Sequence, residues 1–149
     1  MAKNQWAILC HRASVDKDSL VLSLLEITEE LTLSYAPQNP PANFDRGLLP
    51  VPLHLATHWI RSEASQPEKF KTKVNLRFPN LEVLASAENV GDLTQAERTR
   101  VIFQLQSLPF AGPGRYIFEL LHSPDQDPPD WSVAAEVPLD VKVQPVPSS

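Results

Sequence analysis

The chain is poor in glycine and nearly without cysteine, and each scarcity excludes a class of protein. Among its 149 residues the only glycines are Gly47, Gly91, Gly112 and Gly114, so no GxGxxG and no GxxxxGKS or GxxxxGKT sequence is present. Nucleotide binding through these phosphate-cradling loops is therefore excluded. Cys10 is the single cysteine, which rules out an intrachain disulfide and favours a reducing, cytoplasmic setting.

Long apolar runs are also missing. No stretch approaches the ~18 to 20 apolar residues of a membrane-crossing helix, and the N-terminal sequence has only the short apolar stretch WAILC before charged residues follow. No Asn-x-Ser or Asn-x-Thr glycosylation acceptor occurs either. We therefore expect a soluble, cytoplasmic protein with no membrane partner.

The local signatures of catalysis and of metal or cofactor binding are missing as well. There is no GxSxG sequence, and Cys10 lies in an apolar stretch where a small buried side chain is expected. His54 and His58 have the spacing of a helical metal-binding pair, but HExxH is absent, and on a strand the two would lie ~13 Å apart. The sequence thus predicts no catalytic residue, no metal ligand and no cofactor.

The net charge of the chain is negative, and its charged residues are unevenly distributed. The formal net charge of -5 argues against a nucleic-acid partner, because such binding needs a basic face. Segment 61–78 is nevertheless basic. It provides a possible anion-binding or partner-binding face on one side of a strand, formed by Lys69, Lys71, Lys73 and Arg77.

Segment 119–140 is acidic and contains no lysine or arginine. Its loop places Asp125, Asp127 and Asp130 close together in sequence, which makes a possible weak cation site, since Ca²⁺ prefers oxygen ligands on loops. Pro128 and Pro129 stiffen that loop, and no glycine is present to turn it tightly. A soluble turn is the simpler interpretation.

What the chain has in excess is proline, with 15 residues that fall mostly between segments of alternating apolar and polar side chains. Proline cannot donate to a strand ladder, so these residues mark where strands end. The clearest strands are 132–144 and 115–120, the second following the turn sequence Gly112-Pro113-Gly114. Pro138 lies within the first of these strands and predicts a sheet edge or a bulge there.

The other segments predict the fold class. Additional strand candidates recur with turn signals at roughly ten-residue intervals and include QWAILC, 53–61, 70–78, 81–85 and 101–105. We expect an all-β, single-domain antiparallel β-sandwich of about eight strands over residues 1–144, followed by a disordered C-terminal tail over 145–149. A partly open β-barrel is the alternative.

Three segments are less regular. Residues 19–33 fit either a strand or a helical stripe, and the alternation of their leucines and threonines favours a strand. The five prolines from Pro37 to Pro52 predict a long irregular loop over 37–52, of a length that is often functional. Residues 92–100 could form one helical turn.

The segments WAILCHRASVD, SLLEITEELTL, VPLHLATHWIR, KVNLRFPN and GPGRYIFELL occur in an order that resembles an uncharacterised family of small bacterial β-sandwich proteins. The similarity covers most of residues 5 to 121. It implies a β-sandwich from a bacterial source and supports a strand over 19–33. The resemblance implies no established activity, and it provides no catalytic residues.

These observations favour a non-enzymatic binding or protein-interaction module, whose partner is another protein or a second copy in a homo-oligomer. A module that binds a small ligand, carbohydrate or calcium, is one alternative, with Trp59 and Trp131 as aromatic candidates for a sugar-binding face. An enzyme with a site dispersed over several strands is the other alternative.

Overall fold

The computed structural model describes residues 1–35, 47–78 and 80–146, and these residues form eleven β-strands and no helix. The all-β prediction is confirmed. In chain order the strands are β1 Lys3–Val15, β2 Leu22–Ile27, β3 Glu30–Tyr35, β4 Gly47–Leu49, β5 Leu53–Ile60, β6 Glu68–Arg77, β7 Val83–Leu93, β8 Arg98–Leu105, β9 Leu108–Phe110, β10 Gly114–Pro124 and β11 Ser132–Pro145.

The strands build two main sheets. Sheet A has the order β2-β1-β5-β8, sheet B has the order β3-β11-β10-β6-β7, and β4 pairs with β9 in a small third sheet. The arrangement agrees with a β-sandwich or a partly open barrel. It departs from the antiparallel expectation in one pair, because β3 runs parallel to β11.

The parallel pair arises because the chain changes sheets between β2 and β3. Glu26 adopts the left-handed conformation, with φ 56°, and its carbonyl accepts a bond from the Thr28 hydroxyl. The Thr28 amide then donates to the Leu9 carbonyl of sheet A, whereas the Glu29 carbonyl accepts from the Asp140 amide of sheet B. The strand expected within residues 19–33 is thus present, but as two strands, β2 and β3, that belong to different sheets.

The core lies between the two sheets and is formed by the apolar side chains that alternate along each strand and point inward. Trp59 of β5, Phe70 of β6 and Tyr116 of β10 are its largest fully buried side chains. The Trp59 and Phe70 rings pack with centroids 4.8 Å apart. Phe70 also lies directly over Gly91, where a side chain would collide with its ring.

The predicted turn before β10 is confirmed. Gly112 and Gly114 both have positive φ, at 102° and 141°, which other residues rarely adopt. The buried Tyr116 hydroxyl donates to the Gly112 carbonyl at 2.7 Å and accepts from the Ala111 amide at 2.9 Å. The turn is therefore attached to the core.

Two local expectations are corrected. Residues 92–100 contain no helical turn, because β7 continues to Leu93 and β8 begins at Arg98. In the link between them, the Asp92 carboxylate accepts from the Thr94 amide at 2.9 Å, a bond that stabilises a turn. Pro138 lies in a strand with neighbours on both sides, since β11 is between β3 and β10, but β3 pairs only from Asp140 onward. Beside Pro138, no strand from the described residues pairs on that side. The alternative of a bulge is met nearby, where the β10–β11 register shifts between Val133 and Ala135.

The ends of two other predicted segments differ in detail. β11 extends through Pro145, and the Val146 amide donates to the Tyr35 carbonyl at 2.8 Å, so the start of the predicted tail is paired. Residues 147–149 lie outside the described residues. Of the predicted loop over 37–52, residues 37–46 also lie outside them, and the remainder contains β4.

Candidate functional site

The strongest candidate site lies on the outer face of sheet A, where three strands align polar and aromatic side chains in one row. The register places Trp6 of β1 opposite His58 of β5, and His58 opposite Arg100 of β8. A β-bulge after Asn4 sets this register, and the Asn4 amide stabilises it by donating to the Trp6 and His58 carbonyls.

The middle of the row is an aromatic stack. The Trp6 and His58 rings lie 5.4 Å apart at an interplanar angle of 11°. The Nδ1 atom of His58 is buried and has no hydrogen-bond partner among the described residues. Burial lowers the pKa of His58, and the positive charges of Arg98 and Arg100 lower it further, so the imidazole is neutral at pH 7.

The turn between β1 and β2 folds over this face. The Asp16 carboxylate accepts from the Asp18 and Ser19 amides at 2.9 and 2.8 Å, and these bonds shape the turn. Arg100 then donates from Nη1 to the Leu20 carbonyl at 2.9 Å. This bond connects the tip of the turn to β8.

The result is an open cleft of about 570 Å³ between the turn and the sheet. We call it the arginine cleft, and it is lined by Val15, Leu20, His58, Arg98, Thr99, Arg100 and Ile102. Its size is in the range typical of ligand sites. Val15, Leu20 and Ile102 contribute aliphatic surface, and Ile102 lies on the same face of β8 as Arg98 and Arg100.

Among the described residues, no ion pair compensates the positive charge of this cleft. Within the described ranges, neither Arg98 nor Arg100 forms an ion pair, and the bond to Leu20 uses only one of the five donors of Arg100. Both side chains are exposed. The cleft can therefore accept an anionic group without breaking an existing salt bridge.

The basic residues singled out in the sequence lie elsewhere, on the outer face of β6 in sheet B. Arg77 forms a salt bridge to Glu119 at 3.0 Å. Lys71 donates to the Gln126 carbonyl at 2.9 Å, and the Lys73 ammonium lies 5.6 Å from the centroid of the Trp131 ring. Each of these cations already has a partner within the chain.

Lys69, the fourth residue of that face, is directly opposite Asp92 of β7. Hydrogen bonds from Thr94 are the main cause of the lowered Asp92 pKa, and the positive charge of Lys69 lowers it slightly further. The structure thus brings the predicted anion-binding face together as a surface, and each of its four cations has a neighbouring partner in the chain. An anion or partner site there stays a prediction, and the contacts favour the arginine cleft.

The three aspartates of the predicted cation site lie on the β10–β11 loop. Among the described residues no group of three or more His, Cys, Asp or Glu side chains is placed to hold a metal ion. The Asp130 amide donates to the Ser123 hydroxyl at 2.8 Å, and the peptide bond between Asp127 and Pro128 is cis. A cation site on this loop has no support from the geometry.

Other residues considered from the sequence have structural roles. Cys10 is buried, as expected, and Trp59 is a core residue with no exposed surface. His54 shares the outer face of β5 with His58, and its Nδ1 accepts from the Ala13 amide at 2.8 Å. Trp131 is half-buried beside Lys73.

The sequence interpretation missed Arg98 and Arg100. In the sequence RTRVIF, Arg98 and Arg100 alternate with residues on the same side as the apolar Val101 and Phe103. This alternation is the signal that predicts both arginines on the outer face of a strand. A helical turn over 92–100, which the sequence also allowed, is incompatible with that alternation.

Comparison with known proteins identifies no relative: no model of a protein family matches the chain, and no curated protein matches it. Among the described residues, the structure contains no helix long and apolar enough to cross a membrane. The function of the candidate site therefore has to follow from the geometry of this chain alone.

Proposed function

We propose that this protein is a non-enzymatic binding domain that captures an extended acidic segment of a partner protein in the arginine cleft. The observation that carries the proposal is the pair of guanidinium groups, exposed beside a concave surface and without an ion pair among the described residues. Arginine suits this role because its planar fork binds a carboxylate through two hydrogen bonds.

The spacing of the two arginines favours a protein segment over a single small anion. Arg98 and Arg100 are alternate residues of one strand, so their side chains emerge on one face at a repeat of ~6.6 Å. An extended segment with acidic residues at alternate positions has the same repeat. Its intervening apolar side chains point the opposite way and would contact Val15 and Leu20, which line the cleft from the end of β1 and from the turn.

Isothermal titration with a synthetic octapeptide of alternating aspartate and leucine tests this proposal. We expect binding that weakens as salt increases, because exposed charges are screened. Arg98→Gln combined with Arg100→Gln should weaken binding at least ~10-fold, which corresponds to about 1.4 kcal/mol. Arg98→Gln alone leaves the bond from Arg100 to Leu20 in place and should also weaken binding.

A matched control removes the same number of positive charges from the other sheet. Lys69→Gln combined with Lys71→Gln alters the face predicted from the sequence and should change the affinity less than ~2-fold, because exposed charges outside the cleft contribute little to binding there. Equal weakening by both double variants would show that only net charge matters, and stronger weakening by the lysine variant would move the site to β6.

Self-assembly through the same cleft is a second candidate. The exposed β10–β11 loop carries Asp125 and Asp127, which alternate in sequence, and neither forms an ion pair among the described residues. Light scattering over a concentration series tests this directly. A homo-oligomer that dissociates in both Asp125→Asn/Asp127→Asn and Arg98→Gln/Arg100→Gln would support it, whereas a monomer at all concentrations would refute it.

We also propose a cytoplasmic location. The single cysteine supports it, because no intrachain disulfide can form and disulfides are rare in reducing compartments. Cys10 is also buried, and burial raises the pKa of its thiol despite an opposing hydrogen bond from the Arg12 backbone. Such a thiol is a poor nucleophile for disulfide exchange. The carbohydrate, calcium and enzymatic alternatives have no comparable observation in their favour.

A further inference from the structure

The open seam of the sandwich lies between β7 and β8, which are edge strands of opposite sheets. Among the described residues, β7 pairs only with β6 and β8 pairs only with β5. β7 has 11 residues and contains no lysine, arginine or proline, the residues that commonly protect an edge strand from pairing. The seam thus leaves two strand edges available for pairing.

The backbone groups on the free edge of β8 follow from its pairing with β5. The Arg61 amide donates to the Glu97 carbonyl at 3.0 Å, and the register continues with Ile60 opposite Arg98. Hydrogen-bonded and non-hydrogen-bonded pairs alternate in an antiparallel ladder. The main-chain groups that point away from β5 therefore belong to Arg98, Arg100, Ile102 and Gln104.

The two edges carry opposite charges on their outer faces. β8 has the exposed Arg98 and Arg100, and β7 has the exposed Glu88 and Asp92. Asp92 is already opposite Lys69 of β6. An arginine-bearing strand added beyond β7 would continue this alternation of charge across the sheet, and cross-strand pairs of opposite charge are stabilising.

We propose that two copies of this chain join seam to seam, with β8 of each copy pairing with β7 of the other. Because β7 and β8 are joined by the short link 94–97, they run in opposite directions, and the new pairs are antiparallel. A two-fold axis parallel to the strands forms both contacts in one operation. The other two-fold arrangement pairs β8 with β8 and β7 with β7, and it places edges of like charge side by side.

The seam also indicates the register of the new pairs. Residues 103–105 of β8 line the same small cavity as residues 85–87 of β7, so the two segments are level across the seam. A two-fold axis parallel to the strands keeps each residue at its own level. Arg98 of one copy is then opposite Asp92 of the other.

Disulfide cross-linking between two variants tests this pairing and its register. Gln104→Cys and Ser86→Cys replace exposed residues that are level across the seam and outside the arginine cleft, and the native Cys10 is buried. In a mixture of the two variants, a disulfide should join one chain of each kind. No link in the mixture, or self-linking of Gln104→Cys alone, would overturn the proposal.

Light scattering over a concentration series tests the groups that hold the dimer. The wild-type protein should reach twice the chain mass of 16.6 kDa. Glu88→Gln/Asp92→Asn should raise the dimer dissociation constant at least ~10-fold. Gln104→Pro should do the same, because it removes an outward-facing amide without breaking a bond to β5. Gln104→Ala keeps that amide, Asp125→Asn/Asp127→Asn removes two negative charges elsewhere, and both should retain the dimer.

A wild-type monomer at every concentration, or equal weakening by the control variants, would refute the dimer. The dimer goes beyond the proposed function, although Arg98 and Arg100 also line the arginine cleft. Glu88→Gln/Asp92→Asn keeps every residue that lines the cleft and should lose the dimer while it still binds the octapeptide. A dimer that survives in this variant would overturn the charge pairing.

Discussion

Replacing Gly91 with alanine is expected to destabilise the fold by about 3 kcal/mol, because a β-carbon there would overlap the ring of Phe70. That β-carbon would lie 2.0, 2.2 and 2.6 Å from three ring atoms of Phe70. Van der Waals contact between carbons is comfortable only at ~3.5 Å or more, so the ring would have to retreat by roughly 1.5 Å. Trp59 packs against the same ring with centroids 4.8 Å apart, which restricts that movement.

Two typical ranges bound the loss of stability expected for Gly91→Ala. Overpacking a dense core costs typically ~1 to 3 kcal/mol, and complete loss of a buried phenylalanine costs ~3 to 5 kcal/mol. Because Phe70 has no exposed surface and little room to move, the upper end of the first range applies. Gly91 does not have a positive φ, so the backbone itself tolerates alanine and the whole effect is packing.

Equilibrium urea unfolding measures this cost. With a slope of ~2 kcal/mol per molar, the midpoint should fall by ~1.5 M at unchanged slope. Gly47→Ala is the matched control, since a β-carbon placed there would meet nothing within 4 Å beyond its chain neighbours, and it should change stability by less than ~0.5 kcal/mol. Adding Phe70→Leu to Gly91→Ala should recover part of the loss. A Gly91→Ala protein as stable as Gly47→Ala would refute the packing described for β6 and β7.

Two further predictions concern buried polar groups. Tyr116→Phe should cost about 1 to 2 kcal/mol in urea unfolding, because it leaves the Gly112 carbonyl without its buried donor; a loss below ~0.3 kcal/mol would contradict this. Burial raises the pKa of Glu119, but hydrogen bonds from Arg77 and Asn75 and the charge of Arg77 outweigh it, so the pKa lies below its usual range. The stability from this carboxylate is therefore present above pH ~4.5 and is lost as the pH falls through the lowered pKa. Glu119→Gln should be less stable by about 1 to 2 kcal/mol at pH 7 and should approach the wild type in acid, whereas a constant difference would exclude the ionised form as the cause.

Much of the fold could be predicted because strand periodicity is a local property. Tyr116 and Phe118 alternate with polar residues, and β10 forms where that alternation predicts it. The change of sheet between β2 and β3 could not be predicted in the same way. It depends on the left-handed backbone of Glu26 and on hydrogen bonds to Leu9 and Asp140, which are distant in sequence.

The candidate site depends even more on long-range geometry. Trp6, His58 and Arg100 come from three strands, and they align only through the β1–β5 register, which shifts at the bulge after Asn4, together with the β5–β8 register. No local motif encodes that alignment. The lysines of β6 had the stronger sequence signal, but most of them find partners on neighbouring strands and loops, so a charge run alone was a poor guide to the available cations.

Binding of an extended acidic segment in the arginine cleft is tested most directly by mapping the octapeptide on the protein by NMR. We predict that the largest chemical-shift changes fall on the His58 ring and on the side-chain Nε of Arg98 and Arg100, which line the cleft. Largest changes on the lysines of β6, or no change at a saturating peptide concentration, would contradict this assignment.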